Sequence, residues 1–202
     1  MQYKVKIIRH EEQIVHCPSF QVDFFQWTQG YTPKTYGKLA YLEDKGFLLE
    51  MCCEETDPRR VYTDNDTMVC EDSCMEAFIN FAPQKNPLAY VNFEINANGA
   101  LLCQYGRKNP DRGFVSEMDI PLPDAQAQIK NGEWTARLFI SEEFVVRLFG
   151  EVHFKEGCTL TGNFFKCGDL TAHPHFGSWQ PVQAPVPNFH LPEFFGQLVL
   201  SS

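Results

Sequence analysis

The 202 residues suffice for one domain with a sizeable core, and a composition 44% hydrophobic and 21% charged belongs to a folded globular chain rather than a disordered one. A formal net charge of -9 with 17 Lys plus Arg, and no basic run longer than Arg59-Arg60, makes a field that repels phosphate backbones and excludes nucleic acid as a partner class. No stretch approaches the ~20 apolar residues of a membrane span and the first ten residues lack a signal-peptide core, so the expected compartment is the cytosol, with no membrane partner.

Short β-rich segments separated by turn residues then follow one another, at residues 3–8, 38–42, 47–53, 75–81, 89–95, 100–105 and 113–118. The run Tyr90-Val91-Asn92-Phe93-Glu94-Ile95 alternates cleanly, placing Val91, Phe93 and Ile95 on a core face and Tyr90, Asn92 and Glu94 on the other. Asn96-Ala97-Asn98-Gly99 reads as a hairpin turn, because Asn and Gly accept the positive φ that tight turns demand. Further strands are expected at 134–140, 158–166 and 196–200. One short helix is expected at 142–149, with Ser141 as N-cap, Gly150 as the stop and Phe144, Val145, Leu148 and Phe149 as its buried stripe.

Pro174, Pro181, Pro185, Pro187 and Pro192 forbid a regular helix or central strand near the C-terminus. The same region is too aromatic for a linker, so it should wrap across the strands as an ordered loop. The expected fold of the whole chain, residues 1–202, is an all-β, immunoglobulin-like or jelly-roll-type sandwich of two antiparallel sheets, with one short helix and a long Pro-rich C-terminal loop.

Three stretches together resemble the family 9 carbohydrate-binding modules, in particular their free-standing single-domain, DOMON-like relatives. The first is Val69-Cys70-Glu71-Asp72-Ser73-Cys74-Met75-Glu76, similar to the family's D-S-x-x-E segment. The second is residues 90–99, and the third runs from Asn163-Phe164-Phe165-Lys166-Cys167-Gly168-Asp169 through His175-Phe176-Gly177-Ser178-Trp179 to Phe189-His190-Leu191-Pro192-Glu193-Phe194-Phe195-Gly196. The resemblance implies a module that binds a mono- or oligosaccharide, xylan- or cellulose-derived, in carbohydrate breakdown, without catalysis of its own. A pyranose offers an apolar C–H face to an aromatic ring and a rim of hydroxyls to carboxylates, guanidinium and amides.

On that basis Trp179 is the expected sugar platform, Glu76 the motif acid, and Glu94 and Asn92 its neighbours on one strand face. His175, Tyr105 and Arg112 complete the ligand-binding set. Xylanase-associated modules of the family commonly carry an aromatic six positions before the motif glutamate. Cys70 stands there in this chain, which leaves Tyr62 or another aromatic for that face, a single-faced site, or a sandwich that keeps only the fold.

Other readings of the same residues are weighed beside this one. Glu76 and Glu94 as a glycosidase pair need a cleft between them and one raised pKa. Asp64, Asp66, Glu71 and Asp72 gather hard oxygen donors suited to structural calcium, the one cofactor considered. Cys70, Cys74, Cys167, His173 and His175 offer soft ligands, but their spacing departs from the usual zinc pairs, and no metal residue is assigned. The eight cysteines read as reduced, mostly buried thiols. Phe189, Phe194 and Phe195 are candidate anchors of a homodimer through the C-terminal loop.

Overall fold

A computed structural model describes residues 1–28, 30–107 and 111–202. The strands are β1 (Gln2–Ile8), β2 (Phe20–Gln21), β3 (Thr35–Leu42), β4 (Gly46–Cys53), β5 (Cys74–Asn80), β6 (Tyr90–Asn96), β7 (Leu101–Gly106), β8 (Arg112–Phe114), β9 (Asp124–Lys130) and β10 (Glu133–Ser141). After the helix α1 (Glu142–Phe149) come β11 (Thr159–Cys167), β12 (Phe176–Ser178) and β13 (Gly196–Ser201). The sandwich is present, but its layers are limbs of one continuous sheet in the order β8-β7-β6-β5-β11-β13-β1-β3-β4-β10-β9, with β12 added to β11 and β2 to β3.

The two-sheet expectation is corrected at β1, which joins the limbs by pairing parallel with both β13 and β3. A parallel pair needs a long return connection, and residues 9–34 supply it by bringing the chain back to start β3 at the end where β1 began. Between the limbs lies one core, to which Leu39, Leu49, Met51, Trp134 and Leu138 contribute from one side and Met75, Ala77, Ile79, Phe93 and Phe164 from the other. The alternation read in residues 90–95 sends Val91, Phe93 and Ile95 into that core.

Local signals account for most elements. Ser141 Oγ accepts from Phe144 N at 3.1 Å as N-cap of α1, and Gly150 ends the helix at φ 72°. Gly99, at φ 85°, closes the β6–β7 turn by donating to Asn96 O at 2.9 Å. Two differences concern the edges. Residues 112–114 form β8, but Val115–Met118 tightens into a 3-10 turn. Strand β9 was not expected, since Asp-Ala-Gln-Ala-Gln-Ile-Lys has little intrinsic strand preference. It is held by pairing with β10 from Asp124↔Phe139 to Lys130↔Glu133.

The Pro-rich loop crosses the outer face of β5, β6 and β11. There Phe189 stacks on Phe165 with ring centroids 4.1 Å apart, and Phe195 meets Tyr90 edge-on at 5.2 Å. Phe189, Phe194 and Phe195, offered above as dimer anchors, are half-buried against this outer face. Among the described residues no helix is long and apolar enough to cross a membrane.

Candidate functional site

Under that loop the outer face of the β5–β6–β11 limb carries ionisable groups. Register fixes their placement: Glu76 on β5 lies directly opposite Glu94 on β6, and Cys74 directly opposite Cys167 on β11. Side chains on an outer strand face ordinarily meet water. Here the loop covers them, leaving Glu76 3% and Glu94 5% exposed. What remains open is a hollow of about 180 Å³. Glu76, Glu94, Cys70, Cys167 and Asp169 line it from the strands and their connections. Phe176 and Phe189, edge-on to each other at 6.4 Å, are its aromatic lining, with Asn188 and His190 from the loop. Pockets for drug-sized ligands run to roughly 300–1,000 Å³, so this one suits a single ring.

The hollow is electrostatically unusual. Burial, and then the neighbouring Glu94, pushes the Glu76 carboxyl well above the usual carboxylate range. Burial likewise raises Glu94. Among the described residues, no Lys, Arg or His nitrogen pairs with either carboxylate within 4.0 Å. Their donors are the Cys167 thiol, 2.8 Å from Glu76 Oε1, and Asn92 Nδ2, 2.8 Å from Glu94 Oε1. His190 is held neutral, its pKa lowered by burial to about 4, and its Nδ1 lies 2.9 Å from the Tyr90 hydroxyl.

The structure brings Glu76 and Glu94 together and separates most of the other candidates from them. Trp179 is no platform: it is 6% exposed and packs in the core against Phe164 and Tyr3. The reason is strand parity. Strand β12 pairs Phe176 with Cys167 and Ser178 with Phe165, so residues 176 and 178 share the outward face. Trp179, whose N–H donates to Phe164 O at 2.8 Å, then turns inward. The aromatic that reaches the hollow from this segment is Phe176.

His175 follows the same inward parity and is fully buried, 2.6 Å from Lys166 Nζ through Nε2, with Nδ1 2.8 Å from His173 O. Burial, with Lys166 beside it, lowers its pKa to about 4, so the neutral ring accepts from the ammonium. Lys166 also donates to Ser73 Oγ and Cys167 O, each at 2.9 Å, and lies 3.7 Å from Glu55. Tyr105 faces the core side of β7, edge-on to Phe149. Asn92 is fully buried, and it reaches the hollow only through its bond to Glu94. Arg112 lies over the Tyr90 ring at 4.1 Å and donates to Gln104 O, without lining the hollow.

The acids suggested for calcium do not converge. Asp72 is spent on Arg59, on the backbone N–H groups of Val61 and Tyr62, and on the Asn96 amide. Asp66 accepts from Ser116 at 2.5 Å, and Glu71 accepts from the Tyr62 hydroxyl. Tyr62 is thereby tied to Glu71 and does not line the hollow in place of an aromatic at Cys70. The Asp72-Ser73-x-x-Glu76 segment divides its labour: Asp72 pins the preceding loop, Ser73 bonds Lys166 and Glu55 on the inner side, and Glu76 faces the hollow. All eight cysteines are free thiols.

Asp169, Phe176 and His190 carry no site assignment in the sequence reading, which weighs Cys167 only as a soft metal ligand and Phe189 only as a dimer anchor. All lie within the third stretch that carried the family resemblance, so its density of aromatic and ionisable residues was the available signal. Which of them faced outward depended on the pairing of β12.

The model for Carbohydrate-binding family 9 matches residues 5–200. Among solved structures, a candidate carbohydrate-binding protein from Bacteroides uniformis ATCC 8492 is similar at 26% identity and TM-score 0.84, over 99% of each chain. Two structures of a family 9 module from Caldicellulosiruptor kristjanssonii, in complex with cellotriose and with glucose, are similar in fold at 10% identity and TM-score 0.68. They cover 99% and 100% of this chain and 93% and 96% of their own. No curated protein sequence matches.

Proposed function

The chain belongs to carbohydrate-binding family 9, and we propose that it binds one ring of a mono- or oligosaccharide in the hollow between Glu76 and Glu94 and the Phe176–Phe189 wall. The observation that carries this reading is the juxtaposition itself. Two carboxyls and two phenyl rings line one space of about 180 Å³. A pyranose has the matching surfaces, an apolar face for the phenyl rings and hydroxyls that donate to carboxyl oxygens. The similar modules from C. kristjanssonii hold cellotriose and glucose, which makes a glucose ring at a chain end the first ligand to test.

Binding without chemistry suits the geometry better than hydrolysis. Glycosidase carboxyls flank the scissile bond from opposite sides of a cleft. Glu76 and Glu94 are cross-strand neighbours on one floor, so a ring resting on them would meet both from the same side. Calorimetric titration with glucose, xylose, cellobiose and xylobiose tests the proposal. Saturable binding that is weakened in Glu76→Gln supports it. Absence of heat at millimolar sugar, or binding unchanged in that variant, overturns it.

A further inference from the structure

Beneath the sugar-sized space the floor contains a second constellation. Sγ of Cys74, Sγ of Cys167 and a carboxylate oxygen of Glu76 all lie within 4.8 Å of one another, and all three residues are buried. Two thiolates and an oxygen around a tetrahedral zinc-type ion sit about 3.5–3.8 Å apart, given Zn–S near 2.3 Å and Zn–O near 2.0 Å. The three side chains are therefore close to the spacing that such an ion imposes, and they share one face of two paired strands. Cys74 and Cys167 are direct partners across β5 and β11, and rigid strands hold ligands better than loops.

Two further observations point to a cation. Glu76 and Glu94 are buried side by side with no cationic side chain within 4.0 Å among the described residues, a charge arrangement that a bound divalent ion would neutralise. The hollow supplies the way in, because Glu76 and Cys167 both line it.

We propose that Cys74, Cys167 and Glu76 form a binding site for a borderline-soft divalent cation of the zinc type, with its fourth position open to the hollow and taken by water or by Glu94. The donor set excludes calcium, which takes six to eight oxygens, and favours zinc or cobalt. His173 and His175 take no part. His175 is engaged with Lys166 on the opposite side of the strand, and His173 does not line the hollow.

Cobalt(II) titration of the full chain, kept reduced with a phosphine that does not chelate, tests the site without any sugar. The expected result is one equivalent taken up, with a sulfur-to-cobalt charge-transfer band whose intensity corresponds to two thiolates. Tetrahedral d–d bands should accompany it, and zinc should displace both. The charge-transfer band should disappear in Cys74→Ser/Cys167→Ser, weaken in affinity at least tenfold in Glu76→Gln, and persist in Cys52→Ser. A folded wild type that shows no charge-transfer band overturns the proposal whatever the variants do. So does a band that survives the double substitution. Because sugar is absent, either outcome leaves the carbohydrate reading to its own titration.

Discussion

Strands β5 and β11 bury ionisable groups on both of their faces, and the two faces are built differently. On the inner side Lys166 has three acceptors within 2.9 Å and Glu55 at 3.7 Å, and Glu55 in turn accepts from Trp134 Nε1 at 3.1 Å and from Ser73. On the outer side Glu76 and Glu94 face each other with one thiol and one amide as donors among the described residues, and with open space above them. A fully satisfied buried network specifies a structure. A buried carboxyl pair left short of partners is what a ligand with hydroxyls, or a cation, completes.

The strongest way to break this comparison is to remove the inner cation. Lys166→Met leaves Glu55 buried without its countercharge and should cost about 3–5 kcal/mol in urea unfolding. A loss below about 1 kcal/mol would mean that the inner network is not the structural one. Next in size is Glu76→Gln, which should weaken sugar binding by roughly 10–100-fold, the range of a hydrogen bond to a charged group. It should leave urea stability equal to or above wild type, because a buried carboxyl without a cationic partner is replaced by a neutral amide. Calorimetry on the folded variant reads the first and a denaturation midpoint the second.

The pH dependence sharpens the contrast, since the two sites have opposite slopes. Burial raises Glu55, but Lys166 and the hydrogen bonds from Ser73 and Trp134 outweigh it and hold the carboxyl below its usual value. Its stabilisation is therefore present above the ordinary Glu range, near pH 4.3, and is lost as pH falls through the lower folded value. Glu76 and Glu94 are raised in the folded chain, so the native state holds protons that the unfolded state has released. Their contribution is complete below about pH 4.3 and is lost as pH rises through their folded values. Stability measured from pH 4 to 9 should fall as pH rises from about 4.3 towards those folded values in wild type, with a shallower fall in Glu76→Gln. Equal slopes would refute the raised pair.

The smallest effect belongs to the aromatic wall. Phe189→Ala should weaken sugar affinity by about 0.5–1.5 kcal/mol, the scale of one aromatic contact, seen as a few-fold change in the calorimetric constant. An unchanged affinity would remove Phe189 from the proposed wall.

The one-dimensional pattern determined the strand-rich class, the N-cap at Ser141, the stop at Gly150, the turn at Asn96–Gly99 and the outward direction of Glu94. These depend on the period of a strand, on capping and on glycine's freedom, all of which are local. The D-S-x-x-E segment likewise offered Glu76 as a candidate. Tertiary structure decided the rest. Which way Trp179 and His175 point depends on the register of β12 against β11, and a shift of one residue would have exchanged them with Phe176 and Ser178. The meeting of Cys74 with Cys167, far apart in the chain, and the conversion of an outer strand face into a covered hollow both required long-range pairing and the loop laid over it.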